Sequence, residues 1–271
     1  MNWKKGWLLC GVIISVVYLI SKPVPPKPPI KTNPETMINQ PDFDYYPPNQ
    51  STNTLAILLH GGSWMVGGTQ QLYEVGKYLS ERGLSVINLN YRLAPKWQYN
   101  APIQDIAAVI RRVEAAKPTY GLKDDYRLVV LGFSAGAHLA TQFCLTESTY
   151  SVKEADVCIG LAGIYDLNRV MNDRDDSLLK EEVKQFLGSA SPKEASPLYQ
   201  VKAGESTKFL LIRGGQDSVI SPEQMKEFVA ALKAKRVVVE ELVVPDKNHL
   251  GIFSTIPDDD LVAQKILTFI R

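Results

Sequence analysis

One short turn constrains the fold of this chain more than any other feature. Residues 132–136 read Gly-Phe-Ser-Ala-Gly and connect an apolar run, residues 127–131, to a helical pattern. A serine in so sharp a strand-to-helix turn brings the residues two before and two after it almost into contact, so both positions favour glycine. Gly132 and Gly136 meet that demand. The pattern indicates a nucleophile elbow, which presents Ser134 at the end of a strand.

Apolar runs alternate with helical patterns along the rest of the chain, which predicts an α/β fold with a mostly parallel, doubly wound sheet. The predicted strands are residues 54–59, 85–91, 127–131, 155–161, 208–213 and 237–244. The predicted helices are residues 70–81, 103–116, 135–146, 222–235 and 258–269. Only residues 42–46 remain for an opening antiparallel strand. Residues 168–206 interrupt the alternation and predict a short cap, with one charged helix at residues 175–186.

A serine hydroxyl needs a base to take its proton, and the chain has three histidines. His249 follows the last predicted strand and is the predicted base. His60 lies in the His-Gly-Gly-Ser-Trp loop, where its expected role is to hold that loop by hydrogen bonding. His138 lies one helical turn after Ser134 and is expected to point away from it and to pack as a structural residue.

The base needs a carboxylate that fixes its tautomer. Asp217 follows the predicted strand 208–213 after two glycines and is the preferred acid. Asp246 lies three residues before His249 and is the competitor. Asp166 also follows a predicted strand.

Residues 60–64 also follow an apolar run and supply backbone N–H donors of the kind that stabilise an oxyanion. Ala135, at the start of the helix after Ser134, is one predicted donor, favoured by the helix dipole. Gly62 and Ser63 are predicted to supply the others, and Gly61 is an alternative. Trp64 is either a wall of the pocket or a packing anchor.

Four motifs together resemble a known family, the α/β-hydrolase esterases, in the branch that includes kynurenine formamidases and small carboxylesterases. They are His-Gly-Gly-Ser-Trp at residues 60–64, Tyr-Arg-Leu-Ala-Pro at 91–95, Gly-Phe-Ser-Ala-Gly at 132–136 and Gly-Ile-Tyr-Asp-Leu at 163–167. The resemblance runs from about residue 42 to the C-terminus. It implies the α/β-hydrolase fold with Ser134, Asp217 and His249 as the triad, and it assigns Asp166 to the architecture of the pocket.

The first residues carry a different signal. Lys4 and Lys5 precede the apolar residues 6–20, and prolines crowd residues 23–29. This order predicts a signal-anchor or transmembrane segment at residues 1–22, a proline-rich linker at 23–41 and a catalytic domain at 42–271 outside the cytoplasm, on the periplasmic side if the protein is bacterial. Residues 21–23, Ser-Lys-Pro, offer no small-residue cleavage site. Secretion after signal cleavage is the alternative.

Composition narrows the class further. A formal net charge of +1 without a long basic run argues against nucleic acid as a partner. The three histidines are too widely spaced in sequence to indicate a metal site. The chain also lacks a glycine-rich phosphate-binding motif, so no cofactor is expected. Cys144 and Cys158 are expected to pack in the core without a disulfide.

These features favour a serine carboxylesterase that cleaves small carboxylic esters through an acyl-enzyme. An arylformamidase resembling kynurenine formamidase is one alternative, and a catalytically silent binding protein of the same fold is another.

Overall fold

The computed structural model describes residues 41–172 and 177–271, and its strands within those ranges form one seven-stranded sheet. The strands are β1 (Asp42–Tyr46), β2 (Thr52–Leu59), β3 (Ser85–Asn90), β4 (Leu122–Phe133), β5 (Val157–Leu161), β6 (Lys208–Gly214) and β7 (Val239–Val244).

The sheet has the order β1-β3-β2-β4-β5-β6-β7. Only β1 runs antiparallel, against β3, and the six other strands are parallel. The predicted mostly parallel sheet is therefore confirmed, with β1 as its opening strand. Because the six parallel strands end at one edge, the loops that follow them, including those with Ser134, Asp217 and His249, meet there.

Helices cover both faces of the sheet. They are α1 (Tyr73–Glu81), α2 (Ala101–Glu114), α3 (Ala135–Thr146), α4 (Leu167–Asn172), α5 (Ser177–Leu187), α6 (Pro197–Gln200), α7 (Pro222–Ala234), α8 (Gly251–Ser254) and α9 (Leu261–Ile270). Side chains of β2 alternate between two cores: Leu55 and Ile57 face the layer of α2, α3 and α7, whereas Ala56 and Leu58 face the layer of α1 and α9. All four are fully buried, as expected for a strand covered on both faces.

Several predicted boundaries were wrong. The strand predicted at 127–131 extends from Leu122 to Phe133, and its early part escaped detection because residues 123–125 are polar and exposed. The helix predicted from residue 70 begins as a 3₁₀ turn, Thr69–Leu72, before α1. The last helix begins at Leu261 and not at residue 258, because the Asp260 side chain accepts from the Ala263 N–H and caps it. The cap contains α4, α5 and α6 where the sequence predicted one helix.

The predicted membrane segment at residues 1–22 and the linker up to residue 40 lie outside the described residues. Within residues 41–172 and 177–271, no helix combines the length and the apolarity that crossing a bilayer requires.

Glu147, at the end of α3, is a buried carboxyl with an unusual environment. Its side chain accepts from the Ala155 N–H at 3.0 Å, and the residue is only 4% exposed. Burial raises the pKa of Glu147 to about 8; the Ala155 bond opposes this shift, and the charges of Glu205, Glu154 and Asp156 add to it. The folded protein therefore holds this proton more tightly than the unfolded chain does.

This shift predicts that Glu147→Gln stabilises the protein as pH rises. Below the unfolded pKa both states are protonated and Glu147 costs nothing. Between that value and the folded pKa of about 8, ionisation in the unfolded state should lower the free energy of unfolding of the wild type by up to about 1.4 kcal/mol per pH unit. The variant keeps an acceptor for Ala155 but cannot ionise. Thermal unfolding should thus show Tm values that are similar at pH 4, just below the unfolded pKa of about 4.3, and higher for the variant at pH 8; an equal difference at both pH values would contradict this origin.

Candidate active site

Ser134 occupies the sharp turn between β4 and α3. Its backbone has a positive φ of 54°, rare for a residue with a side chain, and its N–H donates to the Leu161 carbonyl at 2.8 Å. A Cβ on Gly132 would lie 2.0 Å from the Gly136 carbonyl oxygen, and one on Gly136 would lie 2.1 Å from that of Leu59. Both glycines are therefore required by close backbone approach, as the sequence predicted.

His249 lies in the loop after β7 with its ring against Ser134. Its Nε2 is 3.0 Å from Ser134 Oγ, and its Nδ1 is 2.8 Å from Asp217 Oδ2. Because a carboxylate only accepts, Nδ1 carries the proton in the neutral ring and Nε2 is free to accept from the serine hydroxyl. The structure thus brings together the three residues that the sequence proposed as a triad.

The Asp217 side chain is only 1% exposed. Burial alone would raise the pKa of Asp217. Two effects outweigh burial: the hydrogen bond and charge of His249, and the N–H groups of Ile220 and Val219, both 2.9 Å from Oδ1. Together they hold the pKa of Asp217 below its usual value. Asp217 is therefore an anion that can stabilise an imidazolium. Asp246, the competing acid, is exposed to solvent.

Two glycines allow the acid loop to reach the histidine loop. A Cβ on Gly214 would lie 2.2 Å from the Lys247 carbonyl oxygen, and one on Gly215 would lie 2.6 Å from that of Pro245. The Gly215 N–H donates to Val244 at 2.7 Å. The contact between the two loops sets the distance between Asp217 and His249.

The loop after β2 turns tightly around Gly62. The Met65 and Val66 N–H groups both donate to the Gly62 carbonyl at 3.0 Å, and Gly62 has a φ of 115°. The Gly61 N–H donates to Gln71 Oε1 at 2.6 Å, which removes it as an oxyanion donor. Gly62 and Ser63 remain, with Ala135 as the first residue of α3 across the turn.

His60 stabilises this loop by hydrogen bonding, as predicted. Its Nδ1 lies 2.7 Å from the Gly61 carbonyl, and its ring stacks on Tyr91 at 4.2 Å between centroids. Burial lowers the pKa of His60 to about 4, against the opposing effect of the Gly61 bond, so the ring is neutral at physiological pH. Tyr91 completes the support by donating to the His60 carbonyl at 2.8 Å.

His138 is a structural residue, as predicted. Its Nδ1 accepts from Trp64 Nε1 at 3.1 Å and its Nε2 lies 2.7 Å from the Ala195 carbonyl, a pair of bonds that only the neutral ring with the proton on Nε2 can make. Burial lowers the pKa of His138 to about 4, with the Ala195 bond opposing. Trp64 is fully buried and stacks on Phe186 at 4.6 Å, so it is the packing anchor of the two roles considered.

Several supporting residues were not found from the sequence. Gln71 holds the Gly61 N–H, and Gln224 Oε1 accepts from the N–H groups of Tyr165 and Asp166 at 2.8 and 2.7 Å. Neither glutamine belongs to a motif, so no sequence signal marked them. Asp166 itself caps α4 by accepting from the Arg169 N–H at 3.0 Å, consistent with an architectural role.

Metal binding and disulfide formation are the other chemistry considered for the described ranges. There, no group of three or more His, Cys, Asp or Glu side chains is arranged to hold a metal ion. Cys144 and Cys158 are free and buried, as expected of core residues.

A family model described as BD-FAE matches residues 43–232, more than half of the chain. The chain belongs to the BD-FAE family of α/β-hydrolase esterases. The matched residues include Ser134 and Asp217, and His249 follows them in the sequence.

Relatives of this BD-FAE member include esterases and a formamidase. A probable isoprenylcysteine alpha-carbonyl methylesterase of Arabidopsis thaliana is 28% identical over 77% of this chain and 54% of its own length. The kynurenine formamidase of Danio rerio is 25% identical over 83% of this chain and 76% of its own. The chain spans about half the length of the first curated relatives it matches.

A solved structure supports the fold. The butyrate-bound esterase of Thermogutta terrifontis superposes with a TM-score of 0.67 at 23% identity, over 84% of this chain and 86% of that one.

Proposed function

We propose that this protein is a serine carboxylesterase that cleaves small carboxylic esters through an acyl-enzyme. The observation that carries the proposal is the continuous relay from Ser134 Oγ to His249 Nε2 at 3.0 Å and from His249 Nδ1 to Asp217 Oδ2 at 2.8 Å. Membership of an esterase family supports it. A silent binding protein of this fold would have no need of all three residues in bonding geometry.

In acylation, Ser134 Oγ bonds to the ester carbonyl carbon while its proton passes to His249 Nε2. The carbonyl oxygen gains the negative charge, and we assign its stabilisation to the N–H groups of Gly62, Ser63 and Ala135. Asp217 stabilises the imidazolium. The bond to the alcohol oxygen then breaks, and the alcohol leaves with the proton from His249.

In deacylation, water replaces the alcohol. His249 takes a proton from water, the hydroxide bonds to the acyl carbon, and Ser134 leaves with the proton that His249 returns. Two chemically similar steps therefore use one set of groups, and no cofactor is needed for either.

The short cap predicts a preference for short acyl groups. Its three helices are short, and Phe186 of α5 stacks on Trp64 in the core, so we expect the cap to form one wall of a small acyl site. We expect kcat/KM for 4-nitrophenyl esters to be highest from acetate to butyrate and to fall as the acyl chain lengthens. Higher kcat/KM on long-chain micellar esters would contradict this preference, and no turnover of any ester would overturn the proposed activity.

An arylformamidase activity is the second candidate. The His-Gly-Gly-Ser-Trp motif at residues 60–64 and the zebrafish kynurenine formamidase among the relatives favour it. The same relay could attack a formamide carbonyl. N-formylkynurenine assayed beside the esters distinguishes the two: a kcat/KM above that of every ester would assign the formamidase.

We also propose that residues 1–22 anchor the enzyme in a membrane, with residues 23–41 as a linker and the catalytic domain outside the cytoplasm. Lys4 and Lys5 before the apolar residues 6–20, and the absence of a small-residue cleavage site, support the proposal. Full-length protein should then stay in the membrane fraction through carbonate and high-salt washes. A soluble native form that begins after Ile20 would instead establish a cleaved signal and a secreted or periplasmic enzyme.

A further inference from the structure

The two peptide units around Gly61 lie directly against the serine turn. A Cβ on Gly61 would lie 2.8 Å from Phe133 Cδ1 and 3.3 Å from the Phe133 carbonyl oxygen, and one on Gly136 would lie 2.5 Å from the His60 carbonyl oxygen. Phe133 and Gly136 stand on either side of Ser134 in the sequence. Because this backbone is so close to the nucleophile, the direction of each peptide unit determines which N–H groups can face the reacting carbonyl.

The first unit joins His60 to Gly61 and is held at both ends. Its carbonyl, on His60, accepts from the Tyr91 hydroxyl at 2.8 Å, and its N–H, on Gly61, donates to Gln71 Oε1 at 2.6 Å. The Gln71 atom has to be its oxygen, because an N–H needs an acceptor. Since a peptide unit is planar, it cannot rotate as long as both bonds are kept.

The second unit joins Gly61 to Gly62 and is held at one end. Its carbonyl, on Gly61, accepts from His60 Nδ1 at 2.7 Å, the ring nitrogen that carries the proton because a carbonyl only accepts. The peptide is trans, so the Gly62 N–H points away from that carbonyl. This N–H donates to no acceptor among the described residues. Of the four polar groups in the two units, it is the one available to an oxyanion.

Gln71 reaches this backbone from a turn that is fixed to the sheet. It lies in the 3₁₀ turn Thr69–Leu72, and its own N–H donates to the Gly68 carbonyl at 3.1 Å. The Thr69 carbonyl accepts from Nδ2 of Asn88, on β3, at 2.7 Å. A side chain held in this way can restrict a segment of two consecutive glycines, which have more backbone conformations to choose from than other residues do.

We propose that Gln71 is a positioning residue of the esterase reaction, which holds the Gly61 N–H and thereby keeps the Gly62 N–H directed at the oxyanion. The inference rests on the proposed esterase function and adds a residue to it. Gln71 acts through the backbone and not on the substrate. Its effect is expected in the tetrahedral intermediate, where the oxygen is charged, and much less in ester binding, where the carbonyl is neutral.

The first test replaces the acceptor in the full-length protein. Gln71→Met keeps the length of the side chain and removes the amide oxygen. With 4-nitrophenyl butyrate, kcat should fall about 10- to 100-fold and KM should change less than about threefold, because an oxyanion donor is misdirected without loss of ester binding. Gln70→Met is the matched control, since Gln70 is an exposed neighbour in the same turn and has no bond to Gly61. It should keep the wild-type kcat and KM.

A transition-state analogue measures the oxyanion directly. Ser134 Oγ bonds to the carbonyl carbon of 1,1,1-trifluoropentan-2-one, the serine proton passes to His249 Nε2, and the ketone oxygen becomes an anion. Gln71→Met should raise the dissociation constant of this adduct, measured by ¹⁹F NMR, by about the factor that lowers kcat/KM. Values of kcat and of the dissociation constant within about twofold of wild type in folded Gln71→Met would overturn the inference and leave the esterase intact.

Tyr91→Phe perturbs the other end of the same peptide unit. It keeps the ring that stacks on His60 and removes the bond to the His60 carbonyl. Each single variant should weaken the adduct, and the double variant should weaken it by less than the product of the two factors, because either loss already frees the unit. Factors that multiply would contradict the shared mechanism. If Gln71→Met does not fold, an unchanged adduct in Tyr91→Phe overturns the inference.

The adduct also separates this inference from the proposed function. If the wild type hydrolyses no ester, the proposed function fails, and the ketone still tests the position of the Gly62 N–H. A weaker adduct in Gln71→Met than in wild type and Gln70→Met would then support the role of Gln71. An adduct of equal strength in all three proteins, or none in the wild type, would overturn it.

Discussion

Ser134→Ala is expected to lower kcat for 4-nitrophenyl butyrate by about 10⁴-fold or more, because the acyl-enzyme can no longer form. The relay of His249 and Asp217 would remain, as would the N–H donors that we assign to the oxyanion. These groups account for the small residual rate expected over the uncatalysed reaction. The fold should be retained, since alanine fits the space of the serine side chain and the strained backbone at Ser134 is supported by the Leu161 carbonyl.

Labelling with a fluorophosphonate probe gives a second measure of the same residue. The wild type should form a covalent adduct and Ser134→Ala should not. Ser148, an exposed residue of the 3₁₀ turn Glu147–Tyr150 that follows α3, supplies the control, and Ser148→Ala should react as the wild type does. Equal labelling of wild type and Ser134→Ala would end the assignment of the nucleophile.

Much of the fold could be predicted because apolar runs alternate with helical segments along this chain. β5 is a short run of five buried residues, and α3 begins and ends where its pattern predicted. The predictions failed where polar residues join an element, as in β4, whose residues 123–125 are exposed while Leu122 pairs with Thr52. They also failed in the cap, because short helices carry too few turns to show a period.

The catalytic residues could be predicted because the reaction requires particular residue types in the loops that follow particular strands. Ser134, Asp217 and His249 each follow a strand of the parallel sheet, so their positions in sequence place them at one edge. Gln71 and Gln224 could not be found in that way, because each acts through a hydrogen bond to a backbone N–H that is distant in sequence. Any residue of suitable length and polarity can serve there, so the sequence shows no distinguishing pattern.

The two remaining triad residues should behave as one unit. His249→Ala removes the base, and Asp217→Asn turns an acceptor into a donor toward Nδ1, which places the ring proton on Nε2 and blocks the serine proton. We expect losses in kcat of about 10³- to 10⁵-fold for each variant. The double variant should lose little more than His249→Ala alone, because Asp217 acts only through the ring.

His138→Ala is the control that separates catalysis from structure in this comparison. It removes the acceptor for Trp64 and a donor to Ala195 in a fully buried site, so its effect should be a lower Tm. The kcat of the molecules that remain folded should stay near the wild-type value. If His138→Ala abolishes activity in a well-folded protein while His249→Ala does not, the base has been misassigned. If the losses of His249→Ala and Asp217→Asn multiply, the two side chains act independently and the 2.8 Å contact between them has no part in catalysis.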